Sequence, residues 1–210
     1  YTRVFYPKSN TLQSIEVGQQ LYYVDKPDKD GLVTDRNNQT SLNFNFINAS
    51  QIEIELSKRY VFLEYDFDPT GVNENTPIMR GGYDSNEIEI SYSSTSSKKF
   101  RFETNINYGG FYDGKKYSLD TKLNYRVDKL MQASLNLGVD KIHLPKPQKS
   151  VNLFLISPKI DFTFNKEISW ATFVQYSNFS DTLGVNSRFK WRFAPLSDLY
   201  LVYTDNSYFS

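Results

Sequence analysis

The chain has 210 residues, 24 basic and 24 acidic side chains that cancel, 16% aromatic residues carried by 16 Tyr and 16 Phe, and no cysteine. Balanced charge removes the electrostatic footprint of a nucleic-acid binder, and the missing thiols exclude disulfide frameworks, thiol catalysis and thiolate metal sites. Mean hydropathy is negative and no apolar run approaches the ~18 residues of a transmembrane helix, which leaves a transmembrane barrel open because its alternating strands average out as polar.

The chain starts at Tyr1 without a Met, a basic n-region or a signal peptide. The expectation is an internal portion of a longer protein rather than a chain whose leader was removed. Period-two segments then recur along its whole length, and no useful amphipathic helix interrupts them. In "SLNFNFI", Leu42, Phe44 and Phe46 alternate with Asn43 and Asn45. "QIEIEL" sets Ile52, Ile54 and Leu56 against Glu53 and Glu55, and "EIEISY" sets Ile88, Ile90 and Tyr92 against Glu87 and Glu89. "FRFETNINY" places Phe100, Phe102, Ile106 and Tyr108 opposite Arg101, Glu103, Asn105 and Asn107. "YSLDTKLNYRV" does the same with Tyr117, Leu119, Leu123, Tyr125 and Val127 against Asp120, Lys122, Asn124 and Arg126. "ASLNLGV", "KIDFTF" and "SWATFVQY" follow, the last carrying Trp170. Near the end, "RFKWRF" alternates Phe189, Trp191 and Phe193 with Arg188, Lys190 and Arg192, and a short turn leads into Leu199, Leu201 and Tyr203.

About twelve strands result, most near the ~9–11 residues that a tilted strand needs to cross a bilayer. The connections between them are expected to alternate in length. Short ones fall at 7–10, 48–50, 95–98, 127–130, 165–167 and 194–197, and longer ones at 25–38, 66–86, 109–116, 141–150 and 178–184. Transmembrane barrels put short turns on one side of the membrane and longer loops on the other. The competing architectures are a soluble sandwich or a β-solenoid with a buried aromatic face, and a sandwich has no reason to keep that order. Aromatic residues near strand ends (Tyr92, Tyr108, Tyr117, Tyr125, Trp170 and Trp191) match interfacial girdles.

The fold expected is therefore all-β, an antiparallel transmembrane β-barrel spanning 1–210, incomplete and truncated at both ends. Glu53, Glu55, Glu87, Glu89, Arg101, Glu103, Lys122, Arg126, Arg188, Lys190 and Arg192 are expected to face its lumen. Phe100, Phe102, Tyr117, Trp170, Phe189 and Trp191 are expected to face lipid.

The stretch "GVNSRFKWRFAPLSDLYLVYTDN" resembles the C-terminal region of a group of large Bacteroidota outer-membrane proteins. Asn186, Arg188, Trp191, Pro195, Asp198, Leu199, Val202 and Tyr203 carry the pattern. "GGFYDG" (109–114), "IHLPKP" (142–147), "LISPKIDFTFNKEI" (155–168) and "FVQYSN" (173–178) support it in order. Members of that group join an N-terminal carbohydrate-binding-module-like sandwich of the family-nine type to a C-terminal β-barrel of unknown function. The resemblance covers the last half of the chain and implies a fold and a compartment, the outer membrane of a Gram-negative-type cell, but no activity. No region resembles the N-terminal module, so its glycan binding is not carried over. The end "TDNSYFS" also departs from the terminal aromatic strand with which such barrels usually close.

Chemistry is sparse. The four glutamates of "QIEIEL" and "EIEISY" could set carboxylates side by side for acid/base work or cation binding, but the simpler expectation is a polar lumen in which they pair with basic residues of other strands. Arg188, Lys190 and Arg192, with Arg101, Lys122 and Arg126, could oppose the acidic residues to make a transverse field that selects polar solutes. With the signs balanced, mutual neutralisation and a closed lumen are favoured. "YDFDPTGVNEN" (65–75) and "DKPDKDG" (25–31) have oxygen donors around a glycine, yet neither matches the spacing of a calcium loop. His143 is the single histidine, and no G-x-S-x-G turn accompanies it. No catalytic residue, metal or cofactor is assigned, and the chain is not read as an enzyme.

The expected function is a structural or interaction component of an outer-membrane assembly. Its partners would be outer-membrane lipid and lipopolysaccharide, together with other outer-membrane or periplasmic proteins, and no nucleic acid. A pore or receptor for polar solutes such as saccharides is the alternative, and a hydrolase working through His143 a remote one.

Overall fold

The computed structural model describes residues 1–26, 31–95 and 98–208. Its regular elements are twelve strands: β1 (Thr2–Phe5), β2 (Leu12–Lys26), β3 (Leu32–Phe46), β4 (Gln51–Leu63), β5 (Gly81–Ser93), β6 (Phe100–Phe111), β7 (Gly114–Arg126), β8 (Met131–His143), β9 (Val151–Thr163), β10 (Ile168–Ser177), β11 (Thr182–Ala194) and β12 (Ser197–Tyr208). They follow one another in chain order in a single antiparallel sheet, so β1 and β12 end the order and are not paired with each other among the described residues. No helix is long and apolar enough to cross a membrane among the described residues.

The short connections lie where the turn residues put them, to within about two positions, and of the one expected at 95–98 residues 96 and 97 lie outside the described residues. The long ones are shorter than expected. The 109–116 loop shrinks to Tyr112 and Asp113, 178–184 to 178–181, and all of 32–38 and 81–86 belongs to strands β3 and β5. The glycines explain the first case. A Cβ on Gly109 would come within 2.5 Å of Glu87 Cγ, and one on Gly110 within 2.9 Å of Ser85 Cβ. These residues are glycine because a neighbouring strand passes close by, not because the chain turns there. The polar run "TDRNNQ" looks like a loop by propensity, but in a sheet with one polar face Asp35, Asn37 and Gln39 are ordinary strand residues. The long connection 64–80 and the connection 144–150 survive as loops. Length alternation is thus a property of two connections and not of the whole chain.

Two compact units form: Tyr1–Thr95 with Asn105–Leu119 and Asp140–Asn152, and Ser96–Thr104 with Asp120–Val139 and Leu153–Ser210. In the first unit the register sorts side chains by face. Asn43 faces Glu53 across β3 and β4, Ser41 faces Glu55, and Glu55 in turn faces Glu89 on β5. On the other face Leu42 opposes Ile54 and Ile54 opposes Ile90. In the second unit Trp170 opposes Phe162 and Phe189, while Arg188 opposes Ala171 and Val202. The period-two pattern therefore separates a polar from an apolar face. On β3–β5, however, the apolar face is confined to the stretches around Leu42, Ile54 and Ile90, and further along the same face carries Arg36, Lys58 and Asp84, with Arg36 3.6 Å from Asp84.

The burial of those faces is unlike that of a water-soluble sheet. Along β5, Glu87 and Glu89 are half-buried, whereas Ile88 and Ile90, between and beside them, are 36% and 42% exposed. Ser14, Ser118 and Ser157 are buried strand residues, but Leu21, Leu56, Ile106 and Leu201 are exposed. Among the described residues only Ile78 and Ile142 are fully buried apolar side chains. A soluble domain would bury the isoleucines and leave the glutamates in water.

Candidate functional site

The polar face of the first unit holds the clearest concentration of ionisable groups. Strict alternation in β4 and β5 puts Glu53, Glu55, Glu87 and Glu89 on that one face, and the register makes Glu55 and Glu89 direct cross-strand neighbours. Like charges so placed repel. Neutral donors hold three of the four. Gln39 Nε2 donates to Glu55 Oε2 at 2.6 Å, Asn105 Nδ2 to Glu89 Oε1 at 2.5 Å, and Ser85 Oγ to Glu87 Oε1 at 3.0 Å. On β3, Asn45 Nδ2 donates to Ser14 Oγ at 3.0 Å and to Glu16 Oε1 at 2.8 Å.

Salt bridges to Glu53, Glu55, Glu87, Glu89 or Glu103 are absent among the described residues, against the expectation that other strands would supply cations. The face also carries the buried, unpartnered carbonyl oxygens of Asn37 and Asn43. The register also places Arg59 on this face, opposite Asn37 and Ser85.

The basic residues of the second unit behave differently. Asp198 faces Arg192 across β11 and β12. Its carboxylate accepts from Arg192 Nε at 2.8 Å and Nη2 at 3.3 Å, and lies 3.2 Å from Lys190 Nζ. Lys159 pairs with Asp161 at 2.8 Å. The cations of β11 are legible in the sequence, but Asp198 as the partner of Lys190 and Arg192 is not. Its position after the "APL" turn, six residues from Arg192, was the available signal. Arg101, Lys122, Arg126 and Arg188 have no ion pair among the described residues.

The expected lipid-facing aromatics gather on apolar faces. In the second unit Phe162 stacks on Trp170 at 5.9 Å, Phe100 lies 6.1 Å from Phe102, and Trp191 meets Phe193 edge-on at 5.8 Å. Phe189 faces Trp170 in register. Trp170 Nε1 donates to Ser187 Oγ at 2.8 Å, which satisfies the one polar atom of an otherwise apolar ring. In the first unit Tyr117 is exposed.

The remaining candidates resolve as follows. Asp68 and Asp66 in the 65–75 stretch are occupied by backbone donors: Asp68 by Thr70 N at 2.8 Å and Asn73 N at 2.7 Å, and Asp66 by Arg80 N at 2.8 Å. They shape a turn and do not converge as ligands. Burial alone would raise the Asp68 carboxyl, but the Thr70 hydroxyl and the N–H groups of Thr70, Asn73 and Gly71 hold it below the ordinary carboxylate value. Burial pushes the Tyr112 hydroxyl up, against the opposing pull of Arg59. The 25–31 stretch falls largely on 27–30, outside the described residues. His143 ends β8 exposed, with no side-chain hydrogen bond among the described residues. No group of three or more His, Asp or Glu is placed to hold a metal among the described residues.

No family model matches the chain, and neither a curated protein nor a solved structure matches it.

Proposed function

We propose that this chain forms the strands of an outer-membrane β-barrel, with β1 and β12 continuing or closing the sheet, and that it serves as a structural or interaction component of an outer-membrane assembly. One observation carries the membrane part: in β5 the glutamates are sheltered and the isoleucines exposed. Lipid is the solvent that rewards that inversion, because an apolar outer face costs nothing there while polar side chains need a wet interior. Strands β2 to β12 run 10 to 15 residues, long enough to cross. The outer-membrane assignment rests on the family resemblance of the last half of the chain. On this reading Glu53, Glu55, Glu87, Glu89, Arg101, Glu103, Lys122, Arg126, Arg188, Lys190 and Arg192 look inward. Phe100, Phe102, Tyr117, Trp170, Phe189 and Trp191 meet lipid.

The test is a mild-detergent pull-down of the full-length protein from its native membrane with mass spectrometry. Partners at fixed stoichiometry support the assembly role, recovery alone argues against it, and release without detergent removes the membrane reading altogether.

A second reading, a pore or receptor for polar solutes, is favoured by the acceptor-rich face around Glu55 and Glu89. Carboxylates and amide carbonyls without cation partners suit the hydroxyl donors of saccharides. Conductance in planar bilayers, and its block by sugars, distinguishes this from a closed scaffold.

A further inference from the structure

The 64–80 connection is held by hydrogen bonds of its own, although it joins two strands that pair directly. Phe67 and Ile78 exchange two backbone hydrogen bonds of 2.9 Å, and Ile78 is only 2% exposed. Within that bridge Asp68 Oδ1 accepts from Thr70 N at 2.8 Å and from Thr70 Oγ1 at 2.6 Å. Thr70 and Asn73 are 1% and 3% exposed. The Asn73 side chain then reaches the 144–150 connection. Its Oδ1 accepts from Lys149 N at 2.6 Å and its Nδ2 donates to Lys149 O at 3.1 Å. Both backbone groups of one residue are thus satisfied by one amide, 76 positions away in sequence.

The root of the segment fixes its direction. Tyr83 lies on the polar face of β5, in line with Ser85 and Glu87, and its hydroxyl donates to the Met79 carbonyl at 2.5 Å. The Met79 carbonyl, and with it the C-terminal end of the connection, therefore lies on the polar-face side of β5.

We propose that the 64–80 connection is a latched cap over the polar face of the first unit, closed by Asn73 on Lys149, and that unlatching exposes that face to solutes. This rests on the reading of the polar face as the aqueous interior of a barrel. A single substitution removes both of these buried side-chain-to-backbone hydrogen bonds and leaves the longer contact of 3.5 Å from Gln148 Nε2 to the Pro77 carbonyl. Local opening of such a segment does not require unfolding of the strands.

The absence of cysteine makes the test clean. Ser85→Cys sits two residues along from Tyr83 on the same face, beneath the proposed cap. The full chain carrying it is reconstituted into lipid vesicles and reacted with a membrane-impermeant thiol reagent. With Asn73 intact, labelling is slow. Adding Asn73→Ala raises the rate at least about tenfold, the loss expected for two such bonds, while the far-ultraviolet circular dichroism of the strands is unchanged. Gln148→Ala removes only the 3.5 Å contact to the Pro77 carbonyl and leaves the Asn73 bonds, so it gives a small rise in rate, and it serves if the alanine variant at Asn73 does not fold. Equal rates with and without the latch, or fast labelling with Asn73 intact, overturn the cap. Failure of the protein to enter vesicles at all overturns instead the barrel reading on which it rests.

Discussion

The polar faces of β4–β5 and of β11–β12 both carry clustered ionised groups, and they satisfy them in opposite ways. In β4–β5 the carboxylates Glu55 and Glu89 face each other and are held by the amides of Gln39 and Asn105. In β11–β12 Asp198 is gripped by Arg192 and Lys190. The chain as a whole has zero net charge, yet that balance is not built pair by pair. Acid is tolerated in one place because neutral donors meet its oxygens, and base is neutralised in another. Neutral hydrogen bonding carries the first and ion pairing the second.

The largest effect tests the faces themselves. Ile88→Arg puts a charge on the exposed apolar face near the middle of β5, and in lipid it should destabilise by about 2–4 kcal/mol, read by urea unfolding from vesicles. Glu89→Arg, one position along on the sheltered face, should cost far less, since it brings a cation among carboxylates. Equal costs would break the distinction between the faces.

Next comes acid. The folded Asp68 carboxyl lies below the ordinary value of about 3.9. Its stabilising contribution is therefore complete above that value and is lost as pH falls through the depressed folded one. Pepsin cleavage within 64–80 should accelerate below about pH 4, and Asp68→Asn should remove the pH dependence.

Glu55→Gln relieves a facing like-charge pair and should stabilise β4–β5 by about 0.2–1 kcal/mol, seen as slower amide exchange there. Asp198→Asn should give the smallest change, a modest speeding of exchange confined to β11–β12. Raising salt sharpens the contrast, because screening weakens both repulsion and attraction. Amides of β4–β5 should exchange more slowly and those of β11–β12 faster.

Most of the fold was legible in the sequence. Alternation in "QIEIEL", "EIEISY" and "RFKWRF" names the strands and sorts the faces, because the pleat leaves no other arrangement. The loops were less legible. "GGFYDG" reads as a turn, and only the closeness of Glu87 and Ser85 to Gly109 and Gly110 shows why those glycines sit in a strand. The partners of the ionised groups were least legible. Gln39 with Glu55 and Arg192 with Asp198 depend on register, which residue types do not fix. The Asn73 latch joins segments 76 residues apart and leaves no local pattern at all.

The most direct measurement is a spin-label scan of β5 in lipid vesicles, one cysteine at a time from position 86 to 91, comparing collision with oxygen and with a water-soluble nickel chelate. The account predicts a period of two, with labels at Ile88 and Ile90 favouring oxygen and labels at Glu87 and Glu89 favouring the chelate. A flat profile, or one in which the glutamate positions meet lipid, would contradict it.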